Sequence, residues 1–144
     1  MEKIAIISDV HGNITALNAV LEDIKKRNIK RIFCLGDSII KCVHPDLVID
    51  KLKENCEVIL LGNSDYAICS PEAKQKNFWS RDKIGEERAN FICNLPIFYE
   101  FYMSGQLVRL FHSSPYGLDY LFNPMFSNKG THFAGKELSS AEEL

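Results

Sequence analysis

The sequence predicts an α/β fold built around a parallel sheet. In its first half, short apolar runs rich in β-branched residues alternate with longer segments of helical period. This strand–helix–strand order requires parallel pairing with right-handed crossovers. The apolar runs are continuous, which is typical of strands covered on both faces. With 144 residues, 46% of them hydrophobic, the chain has the length and composition of one domain with a real core, and we expect one domain over residues 1–144.

Capping residues and prolines mark the ends of the predicted helices. Asn13 is a candidate N-cap for the first helix, because its side chain can accept from the first free N–H groups. Pro45 opens the second helix, Ser80 is a candidate cap for the third, and Pro96 ends it. The predicted strands of the first half cover residues 3–8, 31–35 and 57–61, and the predicted helices cover residues 14–27, 45–53 and 82–94.

A β-hairpin is predicted after the third helix. Residues 97–103 and 106–111 alternate in polarity around Ser104-Gly105, which is a two-residue turn signal. Tight pairing across this turn places Glu100 opposite Arg109, and the ion pair indicates the register of the hairpin.

Composition excludes several classes of partner. The formal net charge of −2 gives no field suited to long nucleic-acid tracts, and no clear nucleic-acid binding is expected. No apolar run reaches the roughly 18 residues of a membrane span, and no signal-peptide pattern precedes the first strand. We therefore expect a cytoplasmic protein with no membrane partner; a homo-oligomer is left open. No Cys-x-x-Cys occurs, and we expect all five cysteines to be reduced thiols, namely Cys34, Cys42, Cys56, Cys69 and Cys93.

Polar side chains follow the predicted strands where each strand ends. Asp9 and His11 follow the first strand, Asp37 the second and Asn63 the third, and His112 ends the hairpin. The carboxyl ends of parallel strands meet at one edge of a sheet, where open α/β sheets bind ligands. Oxygen and imidazole donors without a thiolate suit Mn, Fe, Zn and related divalent ions. The sequence therefore predicts a metal site at this edge.

In order and spacing, these motifs resemble the calcineurin-like metallophosphoesterases. That family's blocks are Asp-x-His, Gly-Asp, Gly-Asn-His-Asp/Glu and a later His. They are matched by Asp9-Val10-His11, Gly36-Asp37, Gly62-Asn63-Ser64-Asp65 and His112. The likeness runs from Met1 to about Leu121 and is closest to the small bacterial and archaeal phosphodiesterase-like members. It implies a metallophosphoesterase-type αββα sandwich with a parallel or mixed sheet core.

The resemblance also implies a reaction at a dinuclear site. Asp9 and His11 would hold one divalent ion, Asp37 would bridge two, and Asn63 and His112 would hold the second; Mn is expected, with Fe, Zn, Ni or Mg as alternatives. A metal-bridging hydroxide would then hydrolyse a small phosphoester, as in a phosphodiesterase or phosphatase. The implied catalytic residues are Asp37, Asn63 and Asp65.

The sequence departs from the family in two places. Ser64 stands where many members have a histidine, so we expect a slower enzyme or one limited to good leaving groups. The final Gly-His-x-His block is missing, and His132 in Gly130-Thr131-His132 is not expected to be a ligand. A helix signal opens at Ser139 with capping-box spacing, and the chain stops there, so we expect a C-terminally truncated domain.

Two alternatives stay open. Loss of the last ligand block favours a non-catalytic or weakly active metal-binding or regulatory module. An aspartyl-phosphate phosphatase with Asp9 as nucleophile is a weaker alternative, because Asp9-Val10-His11 is not the Asp-x-Asp of those enzymes. A phosphocysteine route is excluded, since no Cys-x5-Arg loop occurs.

Overall fold

A computed structural model describes residues 2–70, 72 and 79–118. The chain divides into two units, one ending at His112 and one beginning at Ser113, and each is described by itself. The predicted single domain over residues 1–144 stays a prediction. His132 and the helix opening at Ser139 lie outside the described residues.

The described elements confirm an α/β fold with a parallel sheet. The described elements are β1 (Ile4–Ile7), α1 (Ile14–Lys26), β2 (Arg31–Cys34), α2 (Pro45–Asn55), β3 (Val58–Ile59), α3 (Asn63–Tyr66), α4 (Trp79–Cys93), β4 (Phe98–Met103) and β5 (Gln106–Phe111). The strands β1, β2 and β3 form the parallel sheet in that order, and β4 and β5 form a separate antiparallel pair. None of the helices described is both long and apolar enough to cross a bilayer.

Two local predictions are confirmed in atomic detail. Asn13 caps α1, where its Oδ1 accepts from the N–H of Ala16 at 3.0 Å. In the hairpin, Glu100 lies opposite Arg109, and the two side chains form an ion pair. The turn at Ser104 has positive φ, as expected for a tight hairpin turn.

The core lies on both faces of β2, because neighbouring residues of a strand point to opposite sides. On one face Cys34 packs with Leu17 of α1 and Val48 of α2. On the other face the ring of Phe33 stacks on Phe101 of β4, with centroids 4.9 Å apart. The parallel sheet is therefore packed between helices and hairpin, with its strand ends left to carry polar groups.

The third predicted helix differs in detail. It begins at Trp79, three positions before the predicted residue 82, and its path is interrupted at Gly85, where φ is 76° and ψ 168°. Glycine tolerates this conformation because it has no Cβ. One further helical turn, α3, contains Asn63, Ser64 and Asp65 of the motif after β3, and the sequence analysis did not predict it.

The expectation that all five cysteines are reduced is wrong for two of them. Cys69 and Cys93 form a disulfide, because the segment after α3 lies beside the end of α4 and brings their Cα atoms to 5.4 Å. Burial raises the pKa of the Cys34 thiol to about 11 and that of Cys56 to about 12, so both stay protonated. Disulfides are rare in the cytoplasm of mesophiles. The bond therefore lends no support to the expected cytoplasmic location, which stays a prediction.

Candidate metal centre

Backbone hydrogen bonds hold the loop after β1 against the loop after β2. Three N–H groups of the first loop donate to carbonyls of the second, and two bonds return. They run from Asp9 to Gly36 at 3.0 Å, from His11 to Asp37 at 2.9 Å and from Gly12 to Ser38 at 2.7 Å, and back from Cys42 to His11 at 2.8 Å and from His44 to Gly12 at 3.2 Å. This zipper places Asp9, His11 and Asp37 side by side at the carboxyl ends of the strands.

The same three residues have left-handed backbones. Their φ angles are 57° at Asp9, 50° at His11 and 56° at Asp37. Residues with a Cβ rarely adopt positive φ, and such conformations cluster at functional sites, where the surrounding structure maintains them. Here the backbone zipper supplies that support.

Two glycines allow the loop after β2 to approach the loop after β3. A Cβ on Gly62 would lie 2.2 Å from the backbone N of Asp37 and 2.3 Å from its Oδ1. A Cβ on Gly36, whose φ is 107°, would lie 2.5 Å from the N of Gly62. Neither contact is sterically possible, so the Gly-Asp and Gly-Asn motifs require glycine for reasons of space.

A first group of ligands consists of Asp9, His11 and Asp37, each of which offers one atom within 4.8 Å of the others. Nε2 of His11 is 3.6 Å from Oδ1 of Asp9 and 3.6 Å from Oδ2 of Asp37. Nδ1 of His11 is buried and has no hydrogen-bond partner among the residues described. One divalent ion between these atoms would have two oxygens and one imidazole nitrogen.

A second group consists of Asp37, Asn63 and His112. Nε2 of His112 is 3.0 Å from Oδ1 of Asn63 and 3.5 Å from Oδ1 of Asp37. Nδ1 of His112 is 2.9 Å from the carbonyl oxygen of Leu35 and donates to it, since a carbonyl can only accept. In the neutral ring, Nε2 then presents a lone pair to two oxygens that also carry lone pairs. A cation would satisfy all three.

The five predicted ligands are therefore brought together at one edge of the sheet. Asp37 is buried between the two groups, with Oδ2 toward His11 and Oδ1 toward His112. Asp9 and Asn63 are exposed and form the rim. A carboxylate with one oxygen toward each group fits two divalent ions in chemistry and in position. The assignment of the individual ligands stays a prediction.

Asp65 lies behind this centre. Its side chain is fully buried, and Oδ1 accepts from the N–H groups of Ser38 at 2.8 Å and Ile39 at 3.2 Å, while Oδ2 accepts from that of Gly62 at 3.3 Å. Burial raises the pKa of the Asp65 carboxyl to about 6, although these N–H groups favour the charged form. The contacts describe a carboxylate that ties together the loops after β2 and β3. Its predicted catalytic role stays a prediction.

Two polar contacts of the centre have no counterpart in the sequence-based interpretation. Nζ of Lys41 is 2.9 Å from Nε2 of His11, and Lys41 has a φ of 92°. Oγ of Ser64 donates to Oδ2 of Asp37 at 2.7 Å. The only sequence signal for Lys41 is its place in the loop that follows Asp37, and Ser64 was noted only for the histidine that it replaces.

Comparison with known proteins found a matching family model and a similar protein. The model of the calcineurin-like phosphoesterase superfamily domain matches residues 2–136. Protein MJ0912 of Methanocaldococcus jannaschii is 36% identical over an alignment of 121 residues, which covers 78% of this chain and 49% of that protein. The chain thus spans about half the length of this relative.

Solved structures share the fold. The crystal structure of a metallophosphoesterase from Sphaerobacter thermophilus is 26% identical, with a TM-score of 0.66, over 83% of this chain and 50% of that one. Protein PH1004 of Pyrococcus horikoshii, at 21% identity, shows the fold alone. Its TM-score is 0.70, over 82% of this chain and 57% of that protein.

Proposed function

The chain belongs to the calcineurin-like phosphoesterase superfamily, and on that premise we propose that it hydrolyses small phosphoesters at a centre for two divalent cations, with Mn²⁺ as the expected metal. The observation that carries the proposal is the placement of Asp37, which offers one carboxylate oxygen to each of two ligand groups. The metallophosphoesterase from Sphaerobacter thermophilus, whose chain is half covered, supports the same class of chemistry.

The donor set fits such cations. Carboxylate and amide oxygens with neutral imidazoles are ligands of Mn²⁺, Fe²⁺ and Zn²⁺. When bound, the two ions lower the pKa of a coordinated water and offset charge on the phosphate oxygens. No protein nucleophile is then required.

The residues of this chain would orient the metal ligands and give the substrate access to the centre. Leu35 fixes the His112 ring through its carbonyl, which leaves Nε2 as the ligand atom. The buried Asp37 forms the floor of the centre, while the exposed Asp9 and Asn63 stand at the rim, where a phosphoester can approach from solvent.

Metal analysis and turnover together test the proposal. The 144-residue protein, stripped of metal and reloaded with Mn²⁺, should bind two ions and hydrolyse bis-p-nitrophenyl phosphate or p-nitrophenyl phosphate. Asp37→Asn should abolish turnover, whereas the matched Asp23→Asn, which alters only an ion pair with Arg27 on α1, should not. A protein that binds no divalent ion would refute the proposal.

A non-catalytic metal-binding module is the second candidate. It is favoured by the ligand count, because each group has three protein ligands in the described part of the chain and the Gly-His-x-His block is missing from the sequence. Full occupancy by two ions without hydrolysis of either chromogenic substrate would support this module over the hydrolase. Turnover that disappears with Asp37→Asn would exclude it.

A further inference from the structure

Ser64 makes two hydrogen bonds to Asp37. Its Oγ donates to Oδ2 at 2.7 Å, and its backbone N–H donates to Oδ1 at 2.9 Å. The first turn of α3 thus holds both oxygens of the carboxylate that lies between the two ligand groups. Among the described residues, Ser64 is the one side chain that donates a hydrogen bond to Asp37. The nearest imidazole nitrogens, Nε2 of His11 and Nε2 of His112, lie 3.6 and 3.5 Å from its oxygens.

These hydrogen bonds leave lone pairs of the Asp37 carboxylate free to bind metal ions. A carboxylate oxygen offers about two lone-pair sites, so each oxygen of Asp37 keeps one after bonding Ser64. Oδ2 lies 3.6 Å from Nε2 of His11, and Oδ1 lies 3.5 Å from Nε2 of His112. Rotation of the carboxylate about its Cβ–Cγ bond would turn the remaining lone pair of Oδ2 away from His11 and that of Oδ1 away from His112.

Among the contacts that hold the Asp37 carboxylate, the hydrogen bond from the hydroxyl of Ser64 depends on the side chain at position 64. Gly62 lies against the carboxylate, since a Cβ built on it would be 2.3 Å from Oδ1 of Asp37. The N–H of Ser64 belongs to the backbone and is present with any side chain. The hydroxyl is therefore the one contact on Oδ2 that the identity of residue 64 decides. A serine hydroxyl can both donate here and remain neutral.

We propose that Ser64 is the positioning residue that holds Asp37 in its bridging orientation, so that the two cations of the centre bind as a coupled pair. This inference rests on the proposed function, because it requires the two-ion centre. It gives the serine at this position a role in metal assembly, in place of the histidine of many family members.

Titration of the metal-free protein with Mn²⁺ tests the inference. Ser64→Ala removes the Oγ bond and keeps the backbone bond. We expect the affinity for Mn²⁺ to fall by about 10- to 100-fold, the usual cost of losing a partner that orients a ligand. Ser64→Thr, which keeps a hydroxyl, should restore most of the affinity.

Ser8→Ala is the matched control. The hydroxyl of Ser8 donates to Oδ2 of Asp9 at 2.6 Å, and Asp9 belongs to the first group only. Ser8→Ala should therefore weaken one binding step, whereas Ser64→Ala should weaken both. Thermal unfolding of each metal-free variant, monitored by circular dichroism, should match that of the parent protein.

Electron paramagnetic resonance supplies a readout that a purely structural role would not change. The parent protein loaded with Mn²⁺ should show the spectrum of an exchange-coupled pair, and Ser64→Ala at the same loading should show mainly isolated ions. Two coupled ions with unchanged affinity in Ser64→Ala would overturn the positioning role and leave the hydrolase intact. No Mn²⁺ binding by the parent protein would overturn both.

Discussion

Nζ of Lys41 lies 2.9 Å from Nε2 of His11. Nε2 is also the ring atom that faces Asp9 and Asp37, and a neutral imidazole has one lone pair to share there. The lysine ammonium and a metal ion therefore exclude each other at this atom. Lys41 is exposed, so it can swing into solvent when a cation binds.

This contact predicts that Lys41→Met strengthens metal binding. Removal of a competing donor and of a like charge should raise the affinity for Mn²⁺ by about three- to tenfold, in keeping with the small worth of exposed ionic contacts. Lys51→Met is the matched control, since Lys51 pairs with Glu54 on α2. Calorimetric titration of the two metal-free variants measures the difference, and equal affinities would contradict the competition.

The close approach of the loop after β2 to the loop after β3 predicts that any side chain at position 62 causes a steric clash. In Gly62→Ala the new Cβ would meet the backbone N and Oδ1 of Asp37, and a backbone atom cannot move aside without shifting the loop. We expect a loss of about 1–3 kcal/mol in the free energy of unfolding together with weakened Mn²⁺ binding. Urea unfolding and metal titration measure the two effects.

Gly85→Ala is the contrasting control for that variant. Gly85 has a φ of 76°, but a Cβ there would meet no atom within 4 Å. The control should cost roughly 1–3 kcal/mol through backbone strain alone, because its φ and ψ lie in a region that is almost exclusive to glycine, and should leave metal affinity unchanged. Normal metal binding by Gly62→Ala would show that the loop contact is not needed for the centre.

The sequence predicted the parts of the fold that depend on local pattern. The alternation of strands and helices, the Asn13 cap and the pairing of Glu100 with Arg109 follow from periodicity, from capping chemistry and from turn length, all of which act over a few residues. The convergence of the strand ends on one edge followed from the parallel topology.

What the sequence could not predict depends on the path of loops. Lys41 reaches His11 because a backbone zipper folds the loop after β2 over the loop after β1. Cys69 meets Cys93 across 24 residues, at a distance set by the packing of α4. Neither contact leaves a periodic trace, so spacing alone could not reveal it.

The disulfide predicts two measurable states. Alkylation of the unfolded, unreduced protein should label Cys34, Cys42 and Cys56, and reduction should add Cys69 and Cys93. Reduction should lower the free energy of unfolding by about 2–4 kcal/mol, because it releases the loop closed by the bond. Mass spectrometry and urea unfolding with and without dithiothreitol test this, and labelling of all five cysteines before reduction would refute the bond.

The ion pair between α2 and α4 predicts a pH-dependent contribution to stability. The guanidinium of Arg88 donates to both oxygens of Asp50, at 2.8 and 2.5 Å, and lowers the pKa of that carboxyl below its ordinary 3.8. The pair therefore stabilises the fold above pH 3.8, and this stabilisation is lost as the pH falls through the lower pKa of the folded state. Both groups are about one-third exposed or more, so the contribution should stay below about 1 kcal/mol.

Arg88→Gln measures this contribution. The variant should be less stable than the parent protein at pH 7 in low salt, and the difference should shrink at pH 2.5 and in 1 M NaCl. Arg27→Gln, which removes a pair within α1, is the control for a pair inside one helix. A difference that is the same at both pH values would exclude the ionic origin.

Substitutions of Asp37 and Asn63 distinguish a ligand that is shared by two ions from a ligand of one ion. Asp37 faces both groups, whereas Asn63, whose Oδ1 is 3.0 Å from Nε2 of His112, belongs to the second group. Asp37→Ala should therefore lose both Mn²⁺ ions and reduce hydrolysis of bis-p-nitrophenyl phosphate below detection. Asn63→Ala should keep one ion, held by Asp9, His11 and Asp37, because that group is unchanged by the substitution. Metal content after gel filtration and turnover of the chromogenic diester give the two readouts. Retention of two ions by Asp37→Ala would mean that this carboxylate does not bridge them.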